Sequence, residues 1–127
     1  MIRIMAAGIV ISTMVFCALG AAAAMSEPAK MGDTSKGKAW TDAKGMTLYT
    51  FDKDTVEKSN CNGQCATAWP PLSVGADGKT AGDWSIVTRD DGSKQWALGG
   101  KPLYLWMQDK KAGDATGDGV NGFHIAK

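Results

Sequence analysis

A ten-residue segment occurs twice. Gly45-Met46-Thr47-Leu48-Tyr49-Thr50-Phe51-Asp52-Lys53-Asp54 aligns without a gap with Gly100-Lys101-Pro102-Leu103-Tyr104-Leu105-Trp106-Met107-Gln108-Asp109, at a constant offset of 55 residues. Gly, Leu, Tyr, an aromatic residue and Asp coincide in one register, which marks a duplicated structural unit. The two copies are expected to be extended and to pack on each other. In an extended segment Tyr49 and Phe51 share a face, while Leu48, Thr50 and Asp52 share the opposite, wetter one. In the second copy Tyr104 and Trp106 oppose Leu103, Leu105 and Met107, so that segment is expected to be covered on both sides at the centre of the core. Asp54 and Asp109 each end their segment, where a carboxylate accepts backbone N–H groups from the following turn.

Around these copies the turn signals are frequent and the runs between them short, the pattern of an antiparallel β protein. Strands are expected at Ala39–Asp42, Thr47–Phe51, Trp84–Arg89, Gln95–Leu98, Leu103–Met107 and Phe123–Ala126. Asp91-Gly92 and Gly99-Gly100 supply the positive φ of tight hairpins, so the stretch from Trp84 to Met107 reads as a three-stranded meander. Helix is confined to a turn or two near Cys65–Trp69, ended by Pro70-Pro71. The fold class is therefore mainly β: one small domain of antiparallel strands with an internal two-fold repeat and little helix.

Domain organisation follows from composition. Arg3 precedes an uncharged run densest in apolar residues over Ile9–Leu19 and closed by Ala21-Ala22-Ala23-Ala24, the layout of a secretory signal over residues 1–24 with cleavage before Met25. Cys17 is preceded by Phe16, a bulky residue where lipidation requires a small one, which argues against a lipid anchor; the membrane is met only through the uncleaved precursor. Residues 25–38, polar and small with no apolar periodicity, are expected to form a flexible leader. The β domain is expected over 39–127. Without Arg3 the chain keeps 13 basic and 13 acidic residues, interspersed in sign, so no nucleic-acid partner is indicated.

The combined motifs resemble a bacterial family of secreted repeats, described as predicted lipoproteins of unknown function. Its signature Y-x-[FWY]-x-x-D appears as Tyr49, Phe51 and Asp54 and again as Tyr104, Trp106 and Asp109. The stretch from Cys61 to Pro71 and the glycine- and aspartate-rich tail from Gly113 to Gly119 are similar to that family too. The resemblance covers about Trp40 to Ile125 and implies an exported protein with a repeat fold, without an activity to carry over.

Several residues invite chemical readings. Cys61 and Cys65 flank Asn62-Gly63-Gln64, a tight turn that brings two cysteines within disulfide reach in an oxidising compartment; a redox-active or metal-binding pair is the alternative. The lone His124 has no nucleophile or carboxylate pattern around it and reads as a rim residue. Gly117-Asp118-Gly119-Val120-Asn121-Gly122 matches a dinucleotide-binding pattern but has no βαβ unit to sit in. Asp109, Asp114 and Asp118 lack the spacing of a calcium loop. Five tryptophans, Trp40, Trp69, Trp84, Trp96 and Trp106, are expected to fill a small β core; the alternative is that one or two of them, Trp40 or Trp69, line a groove for a sugar or peptide. Together these features point to a non-enzymatic binding or structural module of the periplasm or cell envelope, with no cofactor and with an envelope component, a glycan or a peptide as partner. A small extracytoplasmic redox or metal-handling protein using Cys61 and Cys65 is the alternative.

Overall fold

The computed structural model describes residues 28–76 and 78–127, so the signal segment and the first residues of the expected leader lie outside the described residues. The elements run β1 (Lys30–Thr34), β2 (Gly37–Thr41), β3 (Tyr49–Phe51), α1 (Gln64–Ala68), β4 (Trp84–Thr88), β5 (Lys94–Leu98), β6 (Lys101–Pro102) and β7 (Phe123–Ile125). They form three small antiparallel sheets, β1-β2, β3-β7 and β4-β5-β6. Among the described residues no helix is long and apolar enough to cross a membrane.

Two expectations are corrected. Residues 30–34, read as leader, form β1, a full antiparallel partner of β2 with Met31 opposite Trp40. Nothing in Lys30-Met31-Gly32-Asp33-Thr34 alternates in polarity; the strand is held by tertiary fit, because Gly32 has no side chain where the Thr41 hydroxyl passes at 3.0 Å from the place a Cβ would take, and that hydroxyl donates to the Lys30 carbonyl. The expected strand Leu103–Met107 is extended but finds a different partner at almost every residue: Leu103 N–H bonds Trp96, Tyr104 bonds Tyr49, Leu105 bonds Pro70 and Met107 bonds Ala68. Only Lys101–Pro102 pairs with β5 as a regular strand, through a two-residue Gly99-Gly100 turn with φ of 60° and 83°. Leu103 and Tyr104 lie at the core as expected, whereas Met107 is 50% exposed.

The two copies are related by an approximate two-fold axis. Tyr49 and Tyr104 pair with each other, each amide donating to the other's carbonyl at 2.8–2.9 Å. Around them each repeat lends its last extended segment to the other. Leu72, from the first repeat, joins the directly bonded Leu103 and Trp96 of the second, giving its N–H to Leu103 and taking that of Trp96. Ala126, from the second, joins the directly bonded Leu48 and Trp40 of the first in the same manner. Each repeat thus makes its own Leu–Trp backbone bond and has the remaining donor and acceptor met by the other. Two apolar clusters fill the interior, one around Tyr49, Trp69, Tyr104 and Phe123 and the other around Leu48, Trp84, Trp96 and Leu103.

The single helix among the described residues begins inside the Cys61–Cys65 disulfide, whose Cα atoms lie 5.2 Å apart. A loop this small constrains the unfolded chain little, so reduction is expected to cost about 2 kcal/mol on the chain-entropy estimate. Denaturation followed with and without reductant checks this: the reduced chain should keep its fold and unfold at a lower denaturant concentration.

Candidate functional site

The signature residues form two crossed latches. The Tyr49 hydroxyl of the first repeat donates to Asp109 of the second at 2.7 Å, and the Tyr104 hydroxyl of the second donates to Asp54 of the first at 2.6 Å. Each carboxylate spends its other oxygen on the turn that follows: Asp54 accepts from Asn60 N–H at 2.7 Å, and Asp109 accepts from Thr116 N–H and its hydroxyl. Both phenols are fully buried. Burial and the neighbouring carboxylate hold both well above the ordinary tyrosine range. Burial likewise raises the Asp54 carboxyl, against the pull of the Tyr104 and Asn60 hydrogen bonds.

The second latch continues into a buried polar chain. The Ser59 hydroxyl shares a hydrogen bond with Tyr104 at 2.6 Å and accepts from Arg89 at 2.9 Å. Arg89, 4% exposed, also donates to Gln95 at 2.7 Å and to the Cys61 carbonyl, while Gln95 donates to the Leu103 carbonyl. From the sequence Arg89 is only the end of the expected strand Trp84–Arg89. Its register offered a signal, since Arg89 stands two residues past the buried Val87 on the same face. A guanidinium suits this place because its planar fork serves three acceptors at once.

Trp69 fills the core, as expected of the tryptophans, and the groove alternative fails for it. It is 2% exposed, with Trp106 stacked on it at 4.0 Å and Phe123 at 3.8 Å between ring centroids; Phe51 extends the stack beyond Phe123 at 4.2 Å. Gly117 explains part of the dinucleotide-like pattern, since a Cβ there would lie 2.6 Å from the Trp69 ring and 2.9 Å from Trp106. The acids read against calcium serve turns: Asp114 accepts from Lys110 and Lys111 N–H, which lowers its pKa, and Asp118 accepts from Ile125 N–H. His124 is exposed and meets Asp52 at 2.9 Å.

Trp40 does line a surface depression. It is half-buried, edge-on to Trp84 at 5.6 Å, and walls a concavity of about 450 Å³ with Leu98, Lys101 and Lys127. A second concavity of about 460 Å³, lined by Phe51, Asp54, Val56 and Pro102, shares Thr50, Gly99 and Lys101 with the first. The two adjoin at these shared residues, and residues of both repeats bound this trough-like pair between Trp40 and Val56.

The approximate symmetry shows what is special about the Val56 end. The turn after Asp54 folds back so that Glu57 N–H bonds Gly100 O, just as the turn after Asp109 folds back so that Gly113 N–H bonds Gly45 O. Val56 lies against Gly100 as Ala112 lies against Gly45, each 3.0 Å from the position of a Cβ. At the residue that needs positive φ the second repeat uses Gly113, at 88°, and the first uses Glu57, at 60°. Val56 is 80% exposed.

Such an architecture defines a tandem-repeat β protein, two copies of one unit closed on each other by crossed tyrosine–aspartate pairs. The chain belongs to the family described as a secreted repeat of unknown function (Lipoprotein_15), which matches residues 30–73 and again 85–124. It is accordingly an exported protein. No curated protein and no solved structure matches it.

Proposed function

We propose that this protein is a non-enzymatic binding module of the periplasm or cell envelope that holds an extended peptide or glycan segment in the trough between Trp40 and Val56. The observation that carries the reading is the asymmetry between the two ends. Where one repeat has the compact pair Ala112-Gly113, the other keeps Val56-Glu57, an exposed apolar side chain followed by a non-glycine residue at positive φ. That conformation costs an L-residue about 1–2 kcal/mol, and strained positions cluster at sites of function. The tyrosines and aspartates of the signature, residue types used in acid–base chemistry elsewhere, are here bound to one another inside the fold. Trp40 offers a flat apolar surface beside the Lys101 and Lys127 ammonium groups, a combination suited to sugar rings or to a peptide with acidic groups. The reading includes a signal peptide removed near Ala24 and no lipid anchor.

The test is a fluorescence titration of the exported protein with soluble cell-wall glycans and peptides. A saturable change is expected, weakened at least tenfold by Trp40→Ala or by Lys101→Glu. Glu57→Gly should raise stability by about 1 kcal/mol through release of the strained backbone while weakening binding. A panel of such fragments that leaves the spectrum unmoved, or binding indifferent to all three substitutions, overturns the reading.

A further inference from the structure

We infer that this chain exchanges repeats with a second copy of itself, giving a reciprocal dimer in which the first repeat of one chain closes on the second repeat of the other. What joins the repeats is presented identically by any copy: the Tyr49–Tyr104 backbone pair, the two latches, and the lent segments at Leu72 and Ala126. Because each repeat already finishes its ladder with a borrowed segment, the lobe is indifferent to which chain supplies the loan. Exchange of identical elements is a low-cost route to dimers, since every contact of the closed lobe is recovered and only the connection changes.

The connection between the repeats is residues 74–83, within the interval 74–84 that neither family match covers. It contains Gly75, Gly78 and Gly82. Ser73 lies opposite Gln95 on one side of β5, and Trp84 lies opposite Leu98 on the other. Two strand spacings across and three residues along separate them by about 14 Å. Ten residues span that easily, since an extended chain reaches about 3.3 Å per residue, and they also reach a neighbouring molecule.

The exchanged dimer has a consequence for binding. The trough is bounded by Thr50, Phe51 and Val56 from the first repeat and by Gly99, Lys101 and Pro102 from the second. In the dimer each trough is therefore built by two chains, and one particle carries two troughs. On a repetitive envelope polymer a linked pair binds with an avidity well above that of either site alone.

The deciding measurement is mass in solution after refolding the full exported chain from denaturant. Refolding at about 1 mM, near the effective concentration of a short flexible tether, should give a fraction of twice the monomer mass, and refolding at about 1 μM should give monomer. The dimer should persist for hours after dilution, and light and isotope-labelled dimers mixed when folded should not exchange, though refolded together they should form hybrids. Removing residues 75–82 leaves three Cα–Cα steps, at most about 11 Å, too short for closure within one chain, and this variant should be dimeric at all concentrations. A dimer that dissociates on dilution would be a surface contact and would overturn the inference. Monomer from the full chain under every condition would overturn it also, whether or not the shortened variant folds.

Discussion

Trp69→Ala is expected to lower the unfolding free energy by about 3–5 kcal/mol, the range for removing a large buried aromatic side chain. That is a large share of the roughly 5–15 kcal/mol that holds a domain folded. Three features place the effect at the upper end. The indole is 2% exposed. Both faces are covered, by Trp106 and by Phe123, and Tyr49 meets it edge-on at 5.2 Å, so the cavity would open beside the Tyr49–Asp109 latch. The site also cannot collapse easily, because Trp69 is followed directly by Pro70 and Pro71 and its own N–H is tied to the Cys65 carbonyl. Urea denaturation compared with Trp40→Ala gives the check: Trp40 is half-buried and its loss should cost markedly less. A Trp69→Ala midpoint equal to that of Trp40→Ala would contradict the stacked core.

The repeat, the mainly antiparallel class and the disulfide were legible because each is written locally. Tyr49 and Tyr104 sit in aligned segments, Gly99-Gly100 is a hairpin turn in two letters, and Cys61 and Cys65 are four residues apart. The carboxylates were legible in part. Asp54 and Asp109 do accept N–H groups from the following turn, but their second role, as acceptors for the other repeat's tyrosine, depends on a pairing across 50 and 60 residues that no local pattern encodes. Trp69 was legible as a core residue, but its stacking partners were not, for the same reason. A tryptophan in a small β domain suits the core better than a groove wall, and its place in the stack is fixed by Trp106 and Phe123 arriving from the other repeat. Strand β1 escaped because its stability resides in the fit of Gly32 to Thr41 rather than in its own composition. What the sequence left open was the swap: which repeat completes which.

Raising the pH is expected to unfold the protein in a single step in which both tyrosines ionise together with the loss of secondary structure. The chain has only two tyrosines, and both hydroxyls are buried donors to carboxylates, so tyrosinate absorbance reports on the two latches and on nothing else. Desolvation, the first cause, and the adjacent Asp109 or Asp54 carboxylate both penalise the phenolate. The folded-state pKa of each therefore lies above the value of about 10 that an unfolded chain gives. With the folded value raised, the contribution of each latch is fully present below about pH 10 and is lost as pH climbs toward the folded value, because the unfolded chain releases protons that the folded one retains. The loss is about 1.4 kcal/mol per pH unit for each tyrosine, so near pH 12 the pair would have cost about 5 kcal/mol, enough to unfold a domain of ordinary stability. Absorbance at the tyrosinate band and circular dichroism should trace one coincident transition. Tyr49→Phe, which keeps the ring and removes one ionising group, should halve the slope of stability against pH. A tyrosinate signal rising near pH 10 in the folded protein would mean that at least one hydroxyl is open to water, and the crossed latches could not then be what closes the two repeats on each other.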